Sequence, residues 1–286
     1  MSATSGIAVP AGRAGKPSRR RPWASGTVLS LGALVVAFPL VWMVSSSFKP
    51  LSEARTDPPE LVPHHPTINA YQRLFDDQQF GTYLVNTLIV VAIDFVGLLL
   101  MAMAGYAFAK MRFRGRGVMF GMVLATLMVP VQITMIPTYL TLNFLGLTNT
   151  LVGIALPTLV GAFGIFLFRQ FMGTIPDELL EAARIDGAGP WRTFGSIVLP
   201  MSRPILAVQA VLTFIAGWNS FLWPLIVADD QSKYTVAVGL SLLNKQQSVD
   251  PSLQLAGATF MVLPVLVVFV VFQRQIVRGF TMSGLK

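Results

Sequence analysis

The chain has 286 residues, of which 53% are hydrophobic and only 12% charged, and its formal net charge is +8. So apolar a composition excludes an ordinary soluble domain and predicts an all-α integral membrane protein. The sequence has no cysteine, which excludes disulfides, thiolate catalysis and cysteine-ligated metals.

Residues 1–26 form a basic segment that is rich in Ala, Gly, Ser, Pro and Arg and shows no hydrophobic periodicity. We expect a disordered cytoplasmic tail, part of which lies on anionic lipid headgroups. A signal peptide is the alternative, but the following apolar run is longer than a typical signal sequence and no Ala-x-Ala cleavage pattern follows it. The membrane domain is therefore expected over residues 27–286.

Six apolar runs are long enough to cross a bilayer, which takes about 20 residues each. They cover roughly residues 28–44, 83–108, 118–140, 151–171, 205–227 and 253–272. Their length and the lack of alternating polarity predict six transmembrane helices and not the strands of a membrane barrel. Pro130, Pro137 and Pro157 in the third and fourth runs predict kinks there.

Positive charge is concentrated in alternate loops. The two termini, the loop between the second and third runs, and the loop between the fourth and fifth hold 16 of the 21 Lys and Arg residues. The loop at 49–81 instead has three basic residues against five acidic ones. By the positive-inside rule, both termini and the loop between the fourth and fifth spans are cytoplasmic. Because topology accounts for the positive charge, we predict no nucleic-acid partner.

Polar side chains inside the spans are candidates for a solute path. Asp94 lies near the middle of the second run, and intramembrane acids usually face an interior or a cavity. Two interpretations stay open: Asp94 lines the path or a gate, or it is a packing residue bonded to a Ser, Thr or Gln of a neighbouring helix. Asn86 and Gln132 are weaker candidates by the same reasoning.

The segment EAARIDGAGPWRTFGSIVLP, residues 181–200, lies between the fourth and fifth runs. Pro176 suits the first turn of a helix, and Gly187 supplies the backbone freedom that ends one. Pro190 is expected to begin a second short helix that closes before Pro200. The first helix carries an apolar stripe made of Leu179, Leu180, Ala182, Ala183 and Ile185. Such a unit is suited to dock in a groove of another protein, although an ordinary surface helix is the alternative.

The spacing within this segment resembles the EAA loop of permease subunits in bacterial ATP-binding-cassette importers. Glu181, Ala182 and Ala183 are followed at the family's intervals by Gly187, Ile197, Leu199 and Pro200. Asp186, Ala188, Phe194 and Pro204 are most similar to the carbohydrate branch, which includes the maltose and glycerol-3-phosphate permeases. The resemblance implies that the ATPase contacts are made by Glu181, Ala182, Ala183, Asp186, Gly187, Ala188 and Pro200.

The resemblance also implies the rest of the machine. It implies a second homologous permease subunit, two ATP-binding-cassette ATPase subunits and an extracytoplasmic solute-binding protein, assembled in the bacterial cytoplasmic membrane. Its expected function is ATP-driven import of a sugar or sugar-like solute.

The fifth run contains Trp218, Asn219 and Trp223. Aromatic faces stack on the C–H surfaces of sugars, and an amide can both donate and accept hydrogen bonds with hydroxyls. These three residues are therefore further candidates for the solute path. The alternative is an aromatic belt at the membrane interface.

The sequence lacks the phosphate-binding pattern Gly-x4-Gly-Lys-Ser/Thr. ATP and its Mg²⁺ are therefore expected on a separate subunit, with no cofactor or metal on this chain. The two histidines, His64 and His65, are adjacent in a proline-rich loop and are interpreted as solvated. No nucleophile, base and orienting acid come together, so the chain is not expected to be an enzyme. The main alternative, an ion-gradient-driven secondary transporter, would need intramembrane ion ligands beyond Asp94.

Overall fold

The structure, a computed structural model, describes residues 22–58, 60–243 and 250–283, with side chains from 26 to 273 within those ranges. Most of the tail predicted over 1–26 lies outside these residues. The first helix begins at Pro22, inside the predicted tail, because proline fits the first helical turn. Two compact units are distinguished, residues 1–42 and 43–286. The described part of the first is the helix that starts at Pro22.

All regular elements of the described residues are helical, which confirms the predicted all-α class. The helices are α1 (Pro22–Ser47), α2 (Leu51–Ala54), α3 (Asn69–Asp76), α4 (Phe80–Lys110), α5 (Arg116–Thr126), α6 (Val131–Phe144), α7 (Leu151–Ala155), α8 (Ala162–Gly173), α9 (Asp177–Ile185), α10 (Pro190–Thr193), α11 (Leu199–Met201), α12 (Arg203–Trp218), α13 (Leu222–Val227), α14 (Val236–Leu243) and α15 (Pro251–Ser283). A π-helical turn, Phe194–Val198, joins α10 to α11, and a 3₁₀ turn, Gln231–Lys233, precedes α14.

Within the part of the chain that the structure describes, three uninterrupted helical segments are long and apolar enough to cross a membrane: Gly26–Ser47, Phe80–Lys110 and Pro251–Gln273. Two bent pairs would raise the number to five. Helices α5 and α6 meet at 100°, and the stretch Pro190–Met201 meets α12 at 79°. The remaining predicted span, the fourth, falls on α7 and α8, and α8 is apolar but shorter than a bilayer crossing needs. The count of six spans therefore stays a prediction.

The third and fourth predicted spans are not single straight helices, and each is broken at or beside a proline that predicted a kink. The third is interrupted between α5 and α6, where Pro130 has an extended ψ of 130°. The fourth is interrupted over residues 156–161, which include Pro157. Proline removes a backbone donor and disfavours helical geometry in the residue before it, so both breaks have a local cause.

Helix α4 is the central element of the second unit and packs along α8, α12 and α7. Two of its glycines make this close packing possible. A Cβ on Gly97 would collide with the backbone carbonyl of Leu159, and one on Gly105 would collide with Phe168. Phe168 is itself fully buried in the main apolar cluster of the unit.

Polar contacts fix the position of the segment between α1 and α4. The Ser47 hydroxyl lies 2.6 Å from the Tyr71 hydroxyl, and the buried Lys49 ammonium donates to the carbonyl of Glu60. Arg73 of α3 pairs with Asp250 at 2.5 Å, next to the start of α15. The connection from α1 to α4 is therefore ordered and includes the short helix α3.

Candidate functional site

Helix α9 contains the first part of the 181–200 segment and ends as the sequence predicts. Gly187 follows the helix with a φ of +76°, in the left-handed region. The Ala188 N–H donates to the Ala183 carbonyl at 2.8 Å, and the Gly187 N–H donates to the Arg184 carbonyl at 3.0 Å. This pair of bonds is the Schellman arrangement, which satisfies the last carbonyls of a helix. A Cβ on Gly187 would meet nothing within 4 Å, so the backbone conformation, and not packing, requires glycine there.

The predicted apolar stripe of α9 is divided between two opposite faces. Leu180 and Ala183 are buried, and Leu180 joins the apolar cluster around Phe168. Leu179, Ala182 and Ile185 are exposed on the other side, with Ile185 86% exposed. Ala183, one of the residues that the resemblance assigns to ATPase contact, therefore points into the chain.

A second exposed apolar side chain, Trp191 of α10, is 74% exposed. We call Leu179, Ala182, Ile185 and Trp191 the α9 apolar face. Among the other residues assigned to ATPase contact, the exposed ones are Glu181, Asp186, Gly187 and Pro200, while Ala188 is half-buried.

Lys110, the last residue of α4, is bonded to the beginning of α9. Its ammonium donates to the Asp177 carboxylate at 2.7 Å, to the Ile175 carbonyl at 2.5 Å and to the Gly173 carbonyl at 3.4 Å. The Lys110 side chain is 7% exposed and that of Asp177 74% exposed. The hydrogen bond from Lys110, and then its positive charge, hold the pKa of Asp177 below its ordinary value. The ends of α4 and α8 and the start of α9 are thus joined at one ammonium group.

The second helix of the segment does not close before Pro200, contrary to prediction. Helical backbone continues through Pro200 to Met201. The π-helical turn directly before the proline explains this, because the Leu199 N–H bonds back to the Phe194 carbonyl and the wider turn accommodates a residue without an N–H. The chain then bends into α12 at Ser202.

A cavity of about 250 Å³ lies between α4, α12 and the connection from α7 to α8. Asp94 lines it and is 4% exposed. One carboxylate oxygen of Asp94 accepts a hydrogen bond from the Thr158 hydroxyl at 3.1 Å. The geometry is consistent with both interpretations of Asp94, because the residue bonds to a neighbouring threonine and also faces a cavity.

Sequence reasoning did not identify the other polar groups of this cavity. They are Thr158, Gln209, Thr213 and Ser220. Gln209 is 6% exposed, and its side-chain oxygen accepts no hydrogen bond from any residue within the described ranges. The available signal was an amide side chain at Gln209 within a predominantly apolar run.

The two tryptophans and Asn86, all predicted on the solute path, are hydrogen-bonded to other elements of the chain. The indole N–H of Trp218 donates to the Met261 carbonyl at 2.9 Å, and that of Trp223 donates to the Ile154 carbonyl at 3.1 Å. Both rings are buried. The Asn86 amide donates to the carbonyls of Ser232 and Tyr234 at 2.8 and 3.0 Å. None of the three lines the cavity at Asp94.

The remaining two candidates, Asn219 and Gln132, are exposed and lie on different elements. Asn219 follows the last residue of α12, and its amide donates to the Ile215 carbonyl at 2.9 Å. Gln132 lies in the first turn of α6. Because α12 stops at Trp218 and α13 begins at Leu222, helical spacing does not relate the aromatic residues on either side of this break.

Residues 97–281 match the family described as the binding-protein-dependent transport system inner membrane component. The chain is 34% identical over 258 residues to the arabinooligosaccharides transport system permease protein AraQ of Halalkalibacterium halodurans, covering 89% of this chain and 92% of that protein. It is 35% identical over 268 residues to the diacetylchitobiose uptake system permease protein NgcG of Streptomyces coelicolor, covering 92% and 88%. A crystal structure of a bacterial ABC transporter involved in import of the acidic polysaccharide alginate aligns with a TM-score of 0.80 and 25% identity, covering 91% of this chain and 99% of that one.

Proposed function

This chain belongs to the family of binding-protein-dependent transport system inner membrane components, and we propose that it is a permease subunit of an ATP-driven sugar importer in the bacterial cytoplasmic membrane. The sugar class is supported by two relatives that are named for oligosaccharide and chitobiose uptake. A second permease subunit, two ATPase subunits and an extracytoplasmic solute-binding protein complete the proposed importer. ATP and Mg²⁺ belong to the ATPases, and no cofactor is assigned to this chain.

The observation that carries the proposal is the α9 apolar face. Ile185, Leu179 and Trp191 expose large apolar surfaces on a short helical unit whose opposite side is anchored in the core. Charged Glu178, Glu181 and the neighbouring Asp186 surround these side chains. Exposed apolar surface with a polar rim marks a protein interaction site, and buried aromatic and aliphatic anchors supply most of the binding energy of such sites. We assign this face to docking on the ATPase.

The contacts of Lys110 connect α9 mechanically to α4, the helix that lines the cavity. Movement of α9 on ATPase closure would be passed through Asp177 and Lys110 to α4, the helix that carries Asp94. Hydrogen-bonded and packed elements transmit such displacements as units. A secondary transporter has no ATPase for α9 to contact. It would also need several ion ligands, whereas Asp94 is the one ionisable residue that lines the cavity among the described residues.

Replacement of Ile185 by Asp tests this proposal. It places a charge in the α9 apolar face, and loss of an interface anchor typically costs about 2 kcal/mol or more, roughly thirtyfold in affinity. We expect Ile185→Asp to lose ATPase co-purification and ATP-driven uptake into membrane vesicles. Leu61→Asp is the matched control, because Leu61 is 57% exposed in the loop before α3.

The control should retain both ATPase binding and uptake. Recovery of the ATPase with Ile185→Asp at the wild-type level, together with normal ATP-driven uptake, would contradict docking at this face. Uptake that persists without any ATPase and collapses with an uncoupler would instead favour the secondary transporter.

A further inference from the structure

The cavity at Asp94 has a volume suited to one small polar ring. Its volume of about 250 Å³ lies just under the range of roughly 300 to 1,000 Å³ that holds drug-sized ligands. It is bounded on one side by α4 and on the other by α12. Phe163 and Leu212, which line it, are half and two-fifths exposed, so the cavity opens at the surface of the chain.

The polar groups of the cavity offer acceptors that are not used within the chain. The Gln209 side-chain oxygen is buried and accepts no hydrogen bond from the described residues. Within the described ranges, only one of the two Asp94 oxygens accepts a hydrogen bond, from the Thr158 hydroxyl. Burying an acceptor without a donor is unfavourable, so a ligand that brings hydroxyl donors would be stabilised here.

The apolar part of the lining complements the faces of a sugar ring. Phe163 presents an aromatic side chain at the mouth, and Val90, Met101 and Ile154 line the interior. Sugars combine apolar C–H faces with a rim of hydroxyls. Aromatic or aliphatic side chains pack on the C–H faces, and amide and carboxylate oxygens accept hydrogen bonds from the hydroxyls.

The charge of the lining determines which sugars fit. Among the described residues that line the cavity, Asp94 is the one ionisable residue and none is Lys, Arg or His. When Asp94 is ionised, it repels an anionic ligand. When Asp94 is protonated, an anion still enters without a compensating cation, which is strongly unfavourable in a buried site. Both states therefore disfavour anions.

We propose that the cavity formed by Asp94, Thr158, Gln209 and Thr213 is a binding site for one neutral sugar ring and that it discriminates against acidic sugars. The proposal rests on the proposed function as a sugar permease and adds the site within this subunit and its charge selectivity.

The test uses the absence of cysteine from the natural chain. Ala216 lines the cavity without contributing a polar group to the proposed site. Ala216→Cys therefore places the single thiol of this chain at the cavity, and its reaction with N-ethylmaleimide is followed by mass spectrometry in the complete importer in nanodiscs. The probes are glucose and glucuronate, which share a ring and differ by one carboxylate. Glucose is expected to slow labelling by about tenfold when its concentration is roughly ten times its Kd, whereas glucuronate leaves the rate unchanged.

Ser232→Cys is the control for general effects of sugar on the reagent, because Ser232 is exposed and lies outside the cavity. Its labelling rate should not change with either probe. In the Ala216→Cys background, Gln209→Met removes the unpaired acceptor at similar volume and is expected to abolish protection by glucose. Asp94→Asn is expected to weaken the discrimination against glucuronate.

Absence of protection by glucose, or equal protection by glucuronate, would overturn the proposal if the ATPase still co-purifies. If no ATPase co-purifies with the unmodified chain, the proposed function itself is overturned. Co-purification of the ATPase with each variant also shows that the variant has folded.

Discussion

Gly187 shows how a single backbone conformation can determine a residue. Its φ of +76° and the surrounding open space mean that a side chain there meets no neighbour but must adopt a left-handed conformation. That conformation is unfavourable by about 1 to 2 kcal/mol for an ordinary L-residue, more for a β-branched one, and least for Asn. The helix-ending role was predicted from the sequence, because glycine after an amphipathic helix is a local signal.

We predict that Gly187→Val lowers ATP-driven uptake and that Gly187→Asn retains most of it. Valine would disturb the bonds from Gly187 and Ala188 that end α9 and so displace the α9 apolar face. Uptake into membrane vesicles and ATPase co-purification measure the effect, with the Asn variant as the matched control. Equal transport by the two variants would show that the left-handed conformation at this position is not needed for coupling.

The cavity residues could be predicted only in part. Asp94 stands out in the sequence because an acid in a span is rare, and its partner Thr158 was anticipated as a residue type. The tryptophans were assigned to the solute path because their chemistry suits sugars. Their actual partners, the carbonyls of Met261 and Ile154, are distant in sequence, so no local pattern shows that the indole groups are already engaged.

At the scale of elements, local sequence predicts where helices stop better than it predicts their direction. Pro130 and Pro157 indicated kinks, and the structure has breaks at both places. The 100° angle between α5 and α6 depends on the neighbours of both helices, and the hydrophobic periodicity of the sequence does not indicate it. Likewise, the five apolar residues of α9 suggested one stripe, whereas anchoring by Leu180 and Ala183 divides them between two faces.

The junction of α4, α8 and α9 leads to a prediction about Lys110. Lys110→Met should weaken both the thermal stability of the chain and ATP-driven uptake more than Asp177→Asn does. Methionine leaves the carbonyls of Gly173 and Ile175 without their donor, which typically costs about 1 to 3 kcal/mol for a buried acceptor, whereas Asp177 is largely exposed. Thermal unfolding in detergent and vesicle uptake are the measurements. Equal loss in the two variants would mean that the ion pair alone, and not the carbonyl contacts, holds the junction.

The same junction has a defined pH dependence. Lys110 lowers the pKa of Asp177, so the contribution of the pair to stability is complete above the ordinary carboxyl pKa of 3.8 and is lost as the pH falls through the lowered value. Between about pH 5 and pH 8 the difference in melting temperature between wild type and Asp177→Asn should therefore stay constant. A difference that shrinks in that window would show that another group controls the junction.

For the whole second unit, α4 is the element that connects the distinct regions. Asn86 near its start bonds the loop before α14, Asp94 lines the cavity, and Lys110 at its end holds α9. These residues extend over about 36 Å of one helix, at 1.5 Å per residue. A rigid helix of that length can relate the proposed ATPase contact to the cavity without a change in local structure.

The topology of the whole chain remains the broadest prediction, because it depends on charge distribution and the structure contains no bilayer. The basic loops place residues 111–115 and 186–189 in the cytoplasm and residues 228–235 outside. Single cysteines at Arg114, Gly189 and Ser232 test this on the natural cysteine-free background, since all three positions are exposed. An impermeant thiol reagent added to intact cells stripped of their outer layers should label Ser232→Cys and leave Arg114→Cys and Gly189→Cys unlabelled until the membrane is opened. Labelling of Gly189→Cys from outside would place the α9 apolar face on the side without ATP, and docking on the ATPase would then be impossible.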